Sequence, residues 1–187
     1  ARFLHIEPLV HVVAPHDEPE HKALAERTAS YQWQALDMLA GRLDPELGGH
    51  PDALDIVGLN HYHNSQWEVP SQSRLEWHLR DPRRLPLSSL LNEVWTRYRR
   101  PMLIAETGHV GVGRAGWIQE VAGEARRARA QGLPLQGICL YPLLDRPDWN
   151  HPQKWHRSGL WHLSGPEARS LNRPYARALL SWRRQPV

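Results

Sequence analysis

A short apolar run ends on a single acid at Glu106, in the stretch Pro101 to Gly108 that reads Pro-Met-Leu-Ile-Ala-Glu-Thr-Gly. Read as a buried strand of a parallel sheet, it delivers a carboxylate to the strand's carboxyl end, where barrel enzymes keep their chemistry. A carboxylate there can act as nucleophile or as acid and base. It can equally cap the next helix or pair with an arginine. Other capable groups follow apolar runs in the same way: Glu7 and His11, then Asn60, His61, Tyr62 and His63, and finally Tyr141 to Asp148 with Trp149. His61 and His63 form a His-x-His pair and His109 follows Glu106, so a metal site of histidine and carboxylate ligands is one reading. With twelve histidines in the chain, such pairs arise by chance, and hydrogen bonding is the stronger use. We expect no metal and no organic cofactor.

Four strand-then-helix units position these groups. The first runs from a strand over Phe3 to Val13 into an amphipathic helix from Glu18 to Ala40, ended by Gly41. The second has a strand over Leu54 to Asn60, a polar loop through Pro86 and a helix over Leu87 to Tyr98. The third has a strand over Met102 to Ala105 and a helix from Ala115 to Gln131. The fourth has a strand over Leu135 to Leu144, a long loop through Pro166 and a helix from Glu167 to Trp182. Alternation of this kind predicts an α/β fold with a parallel sheet and outer helices. A doubly wound sheet would want a glycine-rich phosphate turn after an early strand. Gly108 to Gly113 lacks that spacing, so a (β/α)8 TIM-barrel type is favoured. A complete barrel needs about 250 residues, and only four units are present. The expectation is one domain over residues 1–187 that makes half a barrel, strands five to eight.

Composition narrows the function classes. The formal charge of +3 comes from arginine, Lys22 and Lys154 being the only lysines. The arginines are interspersed with acids along helical segments, which argues for solvated helix faces and against a nucleic-acid partner. No apolar run approaches the roughly 20 residues that span a bilayer, so no membrane association is expected. The single Cys139 excludes an internal disulfide, fits a reducing, cytoplasmic compartment, and reads as core packing. Nine Trp against one Phe is unusual. An indole offers a flat apolar face and a donor, the pairing that grips a sugar ring, although half of them are expected as core filler. The chain opens on Ala1 rather than Met, so upstream sequence is expected.

Three blocks, in order, resemble the carboxyl-terminal half of family 1 glycoside hydrolases, the β-glucosidase-like retaining enzymes. Leu54-Asp-Ile-Val-Gly-Leu-Asn-His-Tyr62 is similar to the family's sixth strand, Asp-Phe-hydrophobic-Gly-hydrophobic-Asn-Tyr-Tyr. Pro101 to Gly108 looks like the seventh, Pro-hydrophobic-hydrophobic-Ile-Thr-Glu-Asn-Gly. Gly137-Ile-Cys-Leu-Tyr-Pro-Leu-Leu-Asp-Arg-Pro-Asp-Trp149 follows the eighth, Gly-Tyr-Phe-hydrophobic-Trp-Ser-Leu-Leu-Asp-Asn-Phe-Glu-Trp, and Ser158-Gly-Leu-Trp161 falls where the family has Phe-Gly-Leu-Val. The resemblance covers Leu54 to Leu163.

It implies a retaining glycosidase acting on β-glycosides, with Glu106 as nucleophile and Tyr62 as the tyrosine that hydrogen-bonds and aims it. It places Asn60 in the layer behind the nucleophile, with Asn60 and His61 as substrate-binding residues, Tyr141 as the platform under the sugar, and Asp148 with Trp149 where a glutamate and an indole hold sugar hydroxyls. His61, Thr107, Tyr141, Arg146-Pro147 and Asp148 all depart from the family's pattern, so the sugar cannot be carried over. The family's acid/base ends its fourth strand, which would precede Ala1. Only one strand, Leu54 to Asn60, separates Glu7-Pro8 from the strand of Glu106, where two should intervene, so Glu7 is read as a fifth-strand, substrate-binding residue. The expected partners are a carbohydrate substrate and either the other half of the barrel or a second copy of this chain. The alternative is a non-catalytic carbohydrate-binding or structural half-barrel module that self-associates to hide its open sheet edges.

Overall fold

The computed structural model describes residues 1–15, 18, 20–165 and 168–183. In chain order the strands are β1 Leu4–Pro8, β2 His11–Val13, β3 Ile56–Asn60, β4 Gln66–Glu68, β5 Met102–Thr107, β6 Leu135–Leu140, β7 Arg146–Pro147, β8 Trp155–His156, β9 Trp161–Leu163 and β10 Arg169–Leu171. The helices are α1 Glu20–Ser30, α2 Gln34–Leu39, α3 Leu87–Tyr98, α4 Arg114–Ala130 and α5 Arg173–Arg183.

Four strands make one parallel sheet in the order β1-β3-β5-β6. Each new strand is laid beside its predecessor with no reversal. A doubly wound sheet would turn back at a switch point, whereas a barrel advances in one direction. The three remaining pairs are short: β2 with β4 runs parallel, while β7 with β8 and β9 with β10 are antiparallel. All of them lie in segments that follow the carboxyl ends of the main strands.

One face of the sheet is buried. Val57 and Leu59 of β3, Met102 and Ile104 of β5 and Leu135 of β6 pack against Leu90, Leu91 and Val94 of α3 and Trp117, Val121 and Ala125 of α4. The opposite face is open. Phe3, Leu4 and Ile6 keep 65%, 37% and 47% of their surface exposed, and Cys139 is exposed on β6, which corrects its reading as core. The alternation along β6 turns Ile138 to the helices and Cys139 to the open side. Gly58 belongs to the same side, where an added Cβ would come 2.8 Å from Ile6 Cγ1.

The strand expected over Leu135 to Leu144 ends at Leu140, and three further boundaries differ from the expected ones. The strand expected over Phe3 to Val13 divides at Leu9, whose amide donates to the Asn60 carbonyl at 2.9 Å, and β2 leaves to pair with β4. The helix expected from Glu18 to Ala40 divides at a 3-10 turn over Tyr31–Trp33. There Thr28 and Ser30 hydroxyls donate to the Leu24 and Arg27 carbonyls, each at 2.7 Å, and such back-bonding disturbs regular helix. The last helix begins at Arg173, and residues 169–171 are strand instead. Its start is marked by Asn172, whose Oδ1 accepts the Tyr175 amide at 3.0 Å, with Pro174 inside the first turn, a standard helix entry. The expected loop end at Pro166 and helix start at Glu167 lie outside the described residues. Gly41 ends its helix as expected, with φ of 68°.

His61 ties the sheet to this scaffold. It is 2% exposed, and its Nδ1 bonds the Leu9 carbonyl at 2.8 Å, which makes Nδ1 the protonated nitrogen of a neutral ring. Burial lowers its pKa from 6.5 to about 4. The unfolded ring takes up a proton below about 6.5 and the folded ring only below about 4, so the unfolded state holds more protons in that window and stability is lost as pH falls through it. We expect His61 to contribute about 3 kcal/mol of that loss between pH 6.5 and 4. Urea midpoints across the range check this, and His61→Gln should flatten the slope.

Candidate functional site

Glu106 is aimed by an irregularity in its own strand. From Leu59 to Asn60 β3 advances one residue while β5 advances from Ile104 to Glu106. Against β6 the same stretch of β5, Ile104 to Thr107, spans three steps to the partner's two, Ile138 to Leu140. The extra residue is a bulge at Ala105-Glu106. Bulges re-aim side chains, and this one lets Ile104 and Thr107 both face the helices while Glu106 faces away. Thr107 is fully buried and accepts the Trp117 indole N–H at 2.9 Å. The His61 amide donates to the Glu106 carbonyl at 3.0 Å, so the ladder continues past the bulge.

The Tyr62 hydroxyl donates to Glu106 Oε2 at 2.7 Å. Burial first, then the hydrogen bond and the negative charge of Glu106, push the phenol well above its ordinary pKa. It therefore remains a donor, and its one proton fixes the rotamer of the carboxylate. Asn60 is in register with Glu106, and its Oδ1 is buried with no hydrogen-bond partner among the described residues.

Tyr62 and Glu106 open onto a hollow of about 580 Å³ that Tyr141, Trp149, His63 and Arg146 also line. That volume is within the ordinary range for small-ligand sites. Trp149 is 78% exposed and presents its indole to the hollow, while Tyr141 enters at the end of β6, its amide bonded to the Thr107 carbonyl at 2.9 Å. Glu106 is the sole carboxylic acid among the described residues that line the hollow.

Three expected substrate-binding residues lie elsewhere. His61 is buried behind β3, bonded to Leu9, and does not reach the hollow. Glu7 is in register with Leu59, a core residue. Neighbours in a parallel pair point to one side, so Glu7 projects toward the helices, away from Glu106. Asp148 is spent on its own loop: Oδ1 accepts the Asn150 and His151 amides at 2.9 and 3.0 Å, and Oδ2 meets His156 Nε2 at 2.7 Å. His156 first, then the Asn150 amide, hold this carboxyl below the usual carboxylate range.

His63 and His109 line the hollow and were read from the sequence as candidate metal ligands. Their ring centres lie 4.0 Å apart, with the planes tilted by 35°. His109 Nε2 accepts the Trp77 indole N–H at 3.1 Å and Nδ1 bonds the Val110 carbonyl at 2.7 Å, so the ring is neutral with both nitrogens engaged. Burial lowers the His63 pKa to about 4, helped by His109. The two rings are wall residues. Hydrogen bonding is the use expected of these histidines and the one His109 makes; β3 ends at Asn60, and beyond a strand end residues two apart no longer share a face.

No protein-family model and no curated protein matches this chain. Solved structures do. The family 1 β-glucosidase from Thermotoga maritima superposes with a TM-score of 0.68 at 16% identity, over 96% of this chain and 50% of that one. The same enzyme in complex with glucoimidazole gives 0.66 at 18%, again over 96% and 50%. A hyperthermophilic β-glucosidase mutant gives 0.69 at 16%, over 93% and 42%. The fold is one half of a family 1 (β/α)8 barrel. The chain spans about half the length of the structures it matches, and the open face of the sheet is the one a complete barrel would enclose.

That fold brings β5 and β6 together tightly at the hollow. A Cβ added to Gly108 would lie 2.1 Å from the Tyr141 carbonyl oxygen, so only glycine allows the two strand ends to approach. Gly123, on α4, has nothing within 4 Å of an added Cβ. We expect Gly108→Ala to cost about 1–3 kcal/mol of unfolding free energy by overpacking, and Gly123→Ala to add about 0.5–1 kcal/mol through helix propensity. Chemical denaturation of the two variants tests the contrast.

Proposed function

We propose that this chain is the carboxyl-terminal half of a retaining glycoside hydrolase acting on β-glycosides. The observation that carries the reading is the Tyr62 to Glu106 hydrogen bond at the mouth of a hollow walled by Tyr141 and Trp149. The Glu106 carboxylate attacks the anomeric carbon as the glycosidic C–O bond breaks, giving a glycosyl ester of Glu106. Water then attacks the same carbon and releases the sugar with net retention. As Glu106 gives up its charge to the ester, the Tyr62 donor remains beside it and is available to receive it again when the ester is hydrolysed. Tyr141 and Trp149 supply apolar faces for the sugar ring. No metal or organic cofactor enters these steps.

A retaining site needs a second carboxyl group about 5 Å from the first to protonate the leaving oxygen. None lines the hollow among the described residues, so this reading takes the acid/base from the other half of the barrel. An activated leaving group does not need that proton. A 2-deoxy-2-fluoroglycosyl fluoride should therefore label Glu106 stoichiometrically, seen as one added sugar in intact mass and mapped by peptide digestion, and Glu106→Gln should abolish it. No labelling by gluco, galacto or manno probes would remove the enzymatic reading.

A second reading rests on the open face. The exposed Phe3, Leu4 and Ile6 and the unpaired outer edges of β1 and β6 suit a half-barrel module that covers itself with a second copy, with or without turnover. Under that reading the 187-residue chain alone sediments as a dimer, and Ile6→Lys shifts it to monomer. Under the first it dimerises no more than the variant does. Analytical ultracentrifugation separates the two.

A further inference from the structure

Arg146 is a cation in the wall of the hollow with no carboxylate partner. Its guanidinium carbon lies 5.9 Å from the Tyr141 ring centre and 5.6 Å from that of Trp149, so two aromatic faces hold it by cation–π attraction. Nη1 donates to the Pro147 carbonyl at 2.9 Å. Nε is buried and has no hydrogen-bond partner among the described residues, and no carboxylate oxygen of the described residues comes within 4.0 Å of the guanidinium. The edge formed by Nε and Nη2 is therefore the one left without a partner, and it is the side-on fork that takes two oxygens of one anion at once. Burying an unpaired donor costs free energy, and a ligand oxygen would recover it.

The rest of the wall selects the kind of anion. Glu106 is acidic and the other neighbours of the fork are aromatic or neutral, so Arg146 is the only formal cation lining the hollow among the described residues. His63 and His109 do not add charge near neutral pH, since burial lowers both. The fork itself accepts carboxylate or phosphate, but one positive charge matches a monoanion better than a phosphate ester, which carries close to two charges.

We infer that Arg146 makes this site selective for glycosides carrying a carboxylate, that is, for uronic acid residues, held by the Nε and Nη2 edge while the ring contacts Tyr141 and Trp149. The inference rests on the glycoside reading of the hollow. Glu106 and the carboxylate then occupy separate parts of the wall, the nucleophile bonded to Tyr62 and the fork to the ligand.

The test is titration calorimetry on the protein with its natural flanking sequence, using methyl β-D-glucuronide, methyl β-D-glucoside and methyl β-D-glucoside 6-phosphate. The glucuronide should bind at least tenfold more tightly than the glucoside. The preference should shrink as salt rises and collapse toward one in Arg146→Gln, whose far-UV spectrum reports whether it is folded. Arg146→Lys keeps the charge without the fork and should lose most of the preference, which serves if the glutamine variant does not fold. Equal binding of glucuronide and glucoside overturns the role of Arg146 and leaves the glycoside reading standing. A stronger response to the 6-phosphate overturns the carboxylate assignment. A preference that survives both substitutions overturns Arg146 as its source, and no binding of any of the three sugars overturns the glycoside reading together with this one.

Discussion

The extra residue in β5 is the constraint on which the site depends. Without it, strict alternation from the buried Ile104 would turn Glu106 to the helices and Thr107 to the open side. The bulge keeps Ile104 in the core, gives Thr107 to the Trp117 indole, and frees Glu106 to meet Tyr62. Both neighbouring strands absorb the change of register, which fixes it from two sides. The carboxylate is thus oriented by backbone pairing deep in the sheet and by one phenol in the segment just past β3.

That bulge also sets what could be read from the residues alone. The order of the four units, the parallel sheet and α3 to its last residue were legible, because apolar runs of five or six residues are local signals, while the junction of Glu106 with Tyr62 was legible through the family resemblance. Glu7 and His61 were misplaced because facing is not local. Glu7 points to the helices by virtue of its register with Leu59, fifty residues away, and His61 is drawn inward by the Leu9 carbonyl. Asp148 was read by its place in a motif, yet its nearest partners, the Asn150 and His151 amides, lie within three residues and form an Asx-type turn that the sequence Asp-Trp-Asn-His already permits. The start of α5 was written in Asn172 and Pro174, a capping pair outweighed by the expected length of the helix.

A parallel sheet is normally buried on both faces, and here only one face is covered. The open face is not a water-adapted surface. Leu4 and Ile6 on β1 and Cys139 on β6 put apolar side chains on that face, and Gly58 leaves room for Ile6 to lie flat over β3. The strand composition is that of a closed barrel, and the outer helices complete only the half of the packing that this chain contains. Whatever covers the open face would also close the hollow, since Glu106 lies on that same side.

The hydrogen-bond ledger separates the hollow from the scaffold around it. In the segment after β6 the two acids are satisfied within the segment: Asp148 by two amides and His156, Asp145 by the Gly159 amide and His162. Among the described residues, His63 Nδ1 and Arg146 Nε in the wall of the hollow and Asn60 Oδ1, in register with Glu106, are buried without partners, as are Trp67 Nε1 and Trp182 Nε1 away from it. Native proteins leave few such atoms, because each costs the desolvation of a polar group. What sets the hollow apart is that two of these atoms, a ring nitrogen and a guanidinium nitrogen, share one wall with the Glu106 carboxylate.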